Sequence, residues 1–223
     1  MKQRLHEHFA QAGIQLSELQ SERFLLYHQE LLSWNRRTNL ISKNDEARIV
    51  QRHFLESALL SLFQILQGDV SVIDIGTGAG FPGLPLKIVQ PAMSLTLLDS
   101  KRMKTLFLKS LIRKMNLSNI ELVCERAEIA GKNQAFKHRF DVAMSRAVTS
   151  LSKLHEFASP FLKSGGTLVA IKGSNLGTEI ATFEKSYPAL SVSTKALPRS
   201  SSGRNQVAVF VSKAPLHQSR LAV

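Results

Sequence analysis

The chain has a single cysteine, Cys124, among its 223 residues. One thiol cannot close an internal disulfide, so no covalent staple supports the fold and a reducing, cytoplasmic setting is expected. No run reaches the roughly eighteen consecutive apolar residues of a membrane-spanning helix, so a membrane protein of that kind is excluded. The opening residues, MKQRLHEHFAQAG, lack the apolar stretch of a secretory leader, which again predicts a cytoplasmic protein. No Cys and His residues have zinc-site spacing, so no metal is expected. Internal repeats and low-complexity tracts are also missing. Acid is scarce: 17 Asp and Glu face 29 Lys and Arg, a formal net charge of +12 with a pI near 10.1. That imbalance does not specify a fold. It points to a polyanionic partner, either nucleic acid or an acidic membrane surface. With 43% apolar residues, the chain can bury a sizeable core, which excludes wholesale disorder.

The positive charge is unevenly spread. Residues 1–66 hold eight basic and seven acidic side chains, and residues 67–99 hold one and three. Residues 100–223 hold twenty and seven, more than the whole surplus. The densest run, Lys101 to Lys114, has six cations and no acid. An ordinary solvated helix face would explain such a run. A phosphate-binding surface would explain it too, and the asymmetry favours the second reading.

The first 66 residues read as helical. Ser17-x-x-Gln20 has the form of a capping box. Phe24, Tyr27, Leu31 and Trp34 then recur every three or four residues, as one buried helix face requires. Trp34 is therefore expected to be buried, although Arg36 and Arg37 beside it could set cations next to a stacking ring. Asn44 is placed to cap a second long helix with Val50, Phe54, Ala58 and Leu62 as its stripe, ending near Gly68.

From residue 70 the period changes. Ser71–Gly76, Leu95–Asp99, Ile120–Cys124, Phe140–Met144 and Gly166–Ile171 are short strand-like runs, separated by helix-length stretches at 83–90, 101–116, 150–162 and 175–187. This alternation predicts a parallel sheet with right-handed crossovers. The last two runs, Leu190–Leu197 and Gln206–Val211, are separated by too few residues for a helix and should pair as an antiparallel hairpin. The prediction is a seven-stranded α/β sheet with one reversed strand.

The first strand runs into Asp74-Ile-Gly76-Thr-Gly78-Ala-Gly80-Phe-Pro-Gly83, which opens a helix. Glycines there let the backbone turn sharply and approach a ligand. Asp99 ends the next strand, 23 residues after Gly76, where a carboxylate can accept from both hydroxyls of an adenosine ribose. Both NAD and S-adenosylmethionine carry that ribose. Three features favour S-adenosylmethionine. Asp74 would repel a pyrophosphate but neutralise a cationic sulfonium or amino group. Pro82 and Pro85 remove amide donors where a dinucleotide helix needs them. The terminal hairpin suits methyltransferases better than dehydrogenases. A bare tight turn with no ligand is the minority reading of a strand, glycine loop, helix and following acid taken together.

Further segments sharpen this. Leu97-Leu-Asp-Ser100, Arg126-Ala-Glu128, Ser145-Arg-Ala147 and Lys172-Gly173 follow the glycine loop at fitting intervals. Trp34-Asn35, Thr38-Asn-Leu40 and Arg52-His53-Phe-Leu-Glu-Ser57 precede it. In these residues the chain, over about positions 5–212, resembles the bacterial ribosomal RNA small subunit methyltransferase G family, also called glucose-inhibited division protein B. The resemblance implies a class I S-adenosylmethionine-dependent methyltransferase (Rossmann-like, with a reversed terminal strand) plus an N-terminal helical extension. It implies methyl transfer to N7 of one guanine in the decoding-region loop of 16S ribosomal RNA. Gly76 and Phe81 would contact the cofactor, Ala127 and Glu128 would hold the adenine, and Arg146 would contribute after the fourth strand. With Asp74, Gly78 and Asp99 these are the expected cofactor-binding residues. The matching division is residues 1–68 as the extension, 69–213 as the methyltransferase domain and 214–223 as a tail. The partner would be 16S rRNA or a small-subunit assembly particle, met by a monomer.

Guanine N7 has an in-plane lone pair and no proton, so the reaction needs no general base, and positioning and electrostatics would dominate. Two absences agree. There is no Asn/Asp-Pro-Pro-aromatic motif for an exocyclic amine, and Cys124, read as a small buried hydrophobe within a strand, has no Pro-Cys or Thr-Cys loop. His53 shares a helix face with Ile49 and Ser57; it is either a core histidine or an active-site residue. Arg146, at a strand's C-terminal end, sits where open α/β sheets bind ligands. Lys172 follows similar logic after the fifth strand. Arg199 and Arg204, near Lys195, could grip phosphates, or could belong to an ordinary basic loop. The expected picture is a small acidic donor pocket within a broad basic surface. Its rivals are a methyltransferase of this fold with another substrate, a non-catalytic RNA-binding protein with a vestigial pocket, and a nicotinamide oxidoreductase.

Overall fold

The computed structural model describes residues 1–146, 149–198 and 205–221. The chain begins with helices α1 (Lys2–Gln11) and α2 (Glu18–Thr38). The capping box forms as read: the amide of Gln20 donates to Ser17 Oγ at 3.3 Å, and the amide of Ser17 donates to Gln20 Oε1 at 2.8 Å. Phe24, Tyr27 and Leu31 are buried, but Trp34 is only half-buried, tilted on Phe107 with ring centroids 5.7 Å apart. Its outer edge lacks a covering element among the described residues, which corrects the expectation of a buried ring.

The second long helix does not form. Residues 43–66 break into a 3-10 turn (Lys43–Arg48), a π-helical turn (Val50–Leu55), the short α3 (Glu56–Ala58) and two more 3-10 turns (Leu59–Leu62 and Gln64–Leu66). Residues 53–61 are buried without interruption. A helix covered on one side would alternate, so a segment enclosed all round gives a poor periodic signal. Val50, Phe54 and Ala58 are buried, whereas Leu62 is half-buried.

The remaining elements alternate: β1 (Ser71–Ile75), α4 (Gly83–Val89), β2 (Ser94–Leu98), α5 (Arg102–Lys114), β3 (Ile120–Val123), α6 (Ala127–Ala130), β4 (Phe140–Arg146), α7 (Leu151–Ala158), β5 (Leu162–Gly173), α8 (Gly177–Ser186), β6 (Ser191–Ala196) and β7 (Gln206–Ser212). They form a seven-stranded sheet ordered β3-β2-β1-β4-β5-β7-β6. The strands from β3 to β5 run parallel, and β7 pairs antiparallel with both β5 and β6, placing Ala208 opposite Ile171 and Lys195. The expected fold class is thus observed. Cys124 lies just past the end of β3 and is exposed, not buried, because β3 is an edge strand whose residues are all only half covered.

One apolar cluster joins α1, α2 and the broken helical run to α4, α5 and one face of the sheet; a second lies on the other face under α7 and α8. Residues of the presumed tail take part: Leu216 packs on the first cluster and Leu221, in a 3-10 turn, is buried in it. Among the described residues no helix is long and apolar enough to cross a membrane.

Candidate active site

The site is built where β1 runs out. The amides of Gly76 and Thr77 donate to the carbonyl of Leu98, at 2.8 and 3.1 Å, and bend the chain away from the sheet. Gly76, Gly78 and Gly80 then adopt positive φ angles of 70°, 62° and 101°. At Gly80 the requirement is twofold. A side chain is strained at that φ, and a Cβ would lie 2.6 Å from Tyr27 Oη and 2.8 Å from Leu84 Cδ1. Tyr27 Oη donates to the carbonyl of Ala79 at 2.5 Å, so the N-terminal helices hold the loop directly.

Asp74 is fully buried beneath this loop. Its Oδ2 accepts from Thr77 Oγ1 at 2.7 Å and from the amide of Gly83, the first residue of α4, at 2.8 Å. Its Oδ1 is buried with no hydrogen-bonding partner among the described residues. Burial pushes its carboxyl up to about 7, against the pull of those two donors. Asp74 does not line the cavity described next. Expected on its wall, it fastens the loop and the start of α4 from below, with one oxygen in reserve.

A cavity of about 460 Å³ opens over the C-terminal ends of β1, β2, β3 and β4, beside the point where the strand order reverses between β1 and β4. Open α/β sheets bind ligands in that crevice. Gly76, Asp99, Lys104, Ala127, Glu128 and Arg146 are on its wall. Asp99, 6% exposed, is fixed by two amides: Oδ2 accepts from Gly78 and Oδ1 from Lys101, each at 2.8 Å. Lys104 Nζ stands 4.0 Å away. Each carboxylate oxygen keeps a lone pair beyond its amide, so Asp99 can still accept from a diol. The wall is not simply acidic. Asp99, Glu125 and Glu128 share it with Lys101, Lys104, Arg126 and Arg146. The expected acidic pocket is corrected to one in which single carboxylates are placed among cations.

Arg146, at the end of β4, joins this cavity to the helical part. Its Nη1 donates to the carbonyl of Arg52 at 3.0 Å, and its Nη2 contacts His53 Nδ1. Glu56 Oε2 lies 3.9 Å from Nη1. The guanidinium sits 5.3 Å from the ring centroid of Phe81. Arginine can only donate, so His53 Nδ1 accepts and the imidazole proton sits on Nε2, 3.8 Å from Asp45 Oδ2. Burial, with Arg146 alongside, lowers His53 to about 3, so the ring is neutral. It stacks on Phe81 at 4.7 Å and 16°, and Phe81 stacks on Tyr27 at 5.5 Å and 11°. Asp45 also pairs with Arg52.

The structure therefore brings Gly76, Asp99, Ala127, Glu128 and Arg146 to one cavity. Gly78 supports Asp99 through its amide, and His53 and Phe81 stand behind Arg146, with Phe81 buried in an aromatic stack and not on the wall. Lys172 is elsewhere. Its ammonium is held by Glu179 at 2.7 Å and by the carbonyl of Thr149, with the side chain 12% exposed. Expected to meet RNA, it is already neutralised inside the fold. Arg199 and Arg204 lie outside the described residues. Sequence reasoning missed Asp45, Glu56 and Lys104 as parts of the site. Asp45 directly follows the expected cap Asn44, and in the broken segment that replaces the expected helix it meets Arg52 and His53. Among the described residues no group of His, Cys, Asp and Glu could hold a metal ion.

The sheet order, the reversed β7 and the crevice at the β1/β4 switch define a class I methyltransferase fold. A solved O-methyltransferase from Bacillus cereus, in complex with S-adenosylhomocysteine, superposes with a TM-score of 0.62 over 95% of this chain and all of that one, at 15% identity. Residues 20–208 match the family model for rRNA small subunit methyltransferase G, and the chain belongs to that family. Its relatives include the ribosomal RNA small subunit methyltransferase G of Oceanobacillus iheyensis, 39% identical over 75% of this chain and 71% of that protein. That of Carboxydothermus hydrogenoformans is 37% identical over 87% and 83%.

Proposed function

We propose that the protein transfers a methyl group from S-adenosylmethionine to N7 of a guanine in 16S ribosomal RNA, acting as a cytoplasmic monomer on the RNA or on a small-subunit assembly particle. Membership of the family supports the reaction class. The observation that carries the cofactor reading is Asp99, held by two amides on a cavity large enough for a nucleoside ligand. When bound, the cofactor supplies an electrophilic methyl group. Asp99 would accept from the ribose, and Ala127 and Glu128 would border the adenine. Asp74 would act from beneath, holding the glycine loop and the start of α4 in place through Thr77 and Gly83, while Gly76 lets the backbone come close. Residues 1–68 act in this reading as an extension that holds the glycine loop through Tyr27.

No group is needed to take a proton from guanine N7. The chain agrees with that requirement in one respect: His53 is neutral, with its acceptor nitrogen already engaged by Arg146. His53 is best read as a positioning residue for Arg146, not as a base. The test is chemical. Ribosomal RNA incubated with the protein and cofactor is treated with borohydride and aniline, which cleave at N7-methylated guanine. One new cleavage site is expected, and an unchanged pattern would overturn the N7 assignment.

A further inference from the structure

A second cavity, of about 310 Å³, opens between the last turns of α2 and the first turn of α5. It is lined by Ser33, Trp34, Arg37 and Thr38 from α2 and by Met103 from the first turn of α5. Trp34 is half-buried with its inner side on Phe107, while Met103 and Leu106 are 51% and 42% exposed. A half-buried indole beside an exposed thioether on the wall of an open cavity makes an apolar platform that meets solvent, not a fragment of core. Unpaired cations accompany it on the same two helices, with Arg37 on the cavity wall itself. Arg36, Arg37, Lys101, Arg102, Lys109 and Arg113 are exposed, and none forms an ion pair among the described residues. Elsewhere the same two helices do neutralise a cation, where Lys114 meets Glu30 at 2.6 Å. Lys101 and Lys104, which line the cofactor cavity, flank Met103 within one turn of α5. The two cavities thus sit on adjacent sides of one helix end.

We infer that the Trp34–Met103 cavity is a stacking subsite for an unpaired nucleobase of the RNA substrate, with the exposed Arg and Lys residues of α2 and α5 holding the flanking phosphates. The inference rests on the RNA reading above and adds a place where the strand is gripped beside the reacting guanine. Charge complementarity selects the occupant, because a planar, sequence-tolerant apolar surface with an arginine on its wall and unpaired cations along the same helices is how single strands are held. A duplex would present phosphates without a free base face.

Trp34 is the sole tryptophan, so its fluorescence reports on this cavity alone. Titration with a short single-stranded oligoribonucleotide should quench it, while heparin, a polyanion without bases, should not. Equal quenching by both, or none by the oligoribonucleotide, would overturn the subsite. Trp34→Leu and Met103→Glu should each weaken oligoribonucleotide binding, measured by anisotropy, about tenfold, the lower end of base–aromatic stacking. Trp34→Phe should retain most of the affinity. Calorimetric S-adenosylmethionine affinity equal to wild type would show that each variant folds with its cofactor cavity intact. Unchanged RNA affinity in Met103→Glu, whose side chain is exposed, would refute the proposal even if Trp34→Leu fails to fold. A loss seen only on ribosomal particles and not on naked RNA would assign the patch to a protein partner and also refute it. Failure of the borohydride test, by contrast, bears on the reaction and leaves these binding outcomes readable.

Discussion

Replacing Asp74 by asparagine should change how stability depends on pH. The native carboxyl sits near 7 because burial disfavours its charge, against an ordinary value of 3.8. The folded state therefore keeps a proton that the unfolded chain gives up. Stability from this group is fully present at low pH and declines as pH rises from 3.8 to 7, staying level above that. Over the whole interval the loss is about 4 kcal/mol, at about 1.4 kcal/mol per pH unit. His53 works in the opposite sense. Its native value of about 3 lies below the ordinary 6.5, so its contribution is gained as pH rises through that window. The two nearly cancel in the wild-type protein, and only a difference measurement separates them. Asparagine keeps an acceptor for Thr77 and Gly83 but cannot ionise. Urea denaturation at pH 5 and pH 8 should show Asp74→Asn gaining about 3 kcal/mol relative to wild type between the two, since two pH units of the interval lie above pH 5. A stability difference that stays constant within about 1 kcal/mol across that range would mean that Asp74 is ionised in the folded protein throughout, and the argument from burial would fail.

Gly80→Ala should cost about 2–4 kcal/mol, combining overpacking against Tyr27 and Leu84 with strain at a φ of 101°. A shift in urea midpoint without a change in slope would report it, and a loss under about 0.5 kcal/mol, the level of an ordinary surface substitution, would show that the loop relaxes freely. Asp99→Asn leaves one oxygen where two amides now find acceptors at 2.8 Å, so calorimetric S-adenosylmethionine affinity should fall at least about tenfold, equivalent to about 1.4 kcal/mol. Wild-type affinity in that variant would remove Asp99 from the cofactor site.

How much of this was legible depended on periodicity and on the reach of local motifs. The alternation from residue 70 onward carried the sheet, because strands buried on both faces read as short apolar runs and each is bounded by its crossover helix. The hairpin was legible from a gap too short for a helix. Asp99 and Gly76 were found because a glycine loop and a following acid have a fixed sequence separation. Lys172 misled because a strand's C-terminal end predicts where a side chain begins, not whom it meets, and Glu179 sits in the first turn of α8. Cys124 misled because apolar runs do not reveal which strand is at the edge.

The largest failure, the broken helix at 43–66, coincides with the most intricately bonded part of the site, and the coincidence has a cause. In a regular α-helix the amide of Glu56 would donate to the carbonyl of Arg52. Here it donates to His53, at the end of the π-helical turn, and Arg146 Nη1 donates to Arg52 instead. The irregular turn also sets His53 Nδ1 against the same guanidinium. A continuous helix with Phe54 and Ala58 on its buried stripe would commit Arg52 to its own backbone and leave Arg146 with one fewer acceptor inside the fold, at the cost of an incompletely bonded buried cation. Local propensity and the cavity's need for a fixed Arg146 therefore compete over the same backbone groups, and in this structure the second prevails. Such conflicts are where functional sites are expected to depart from sequence patterns.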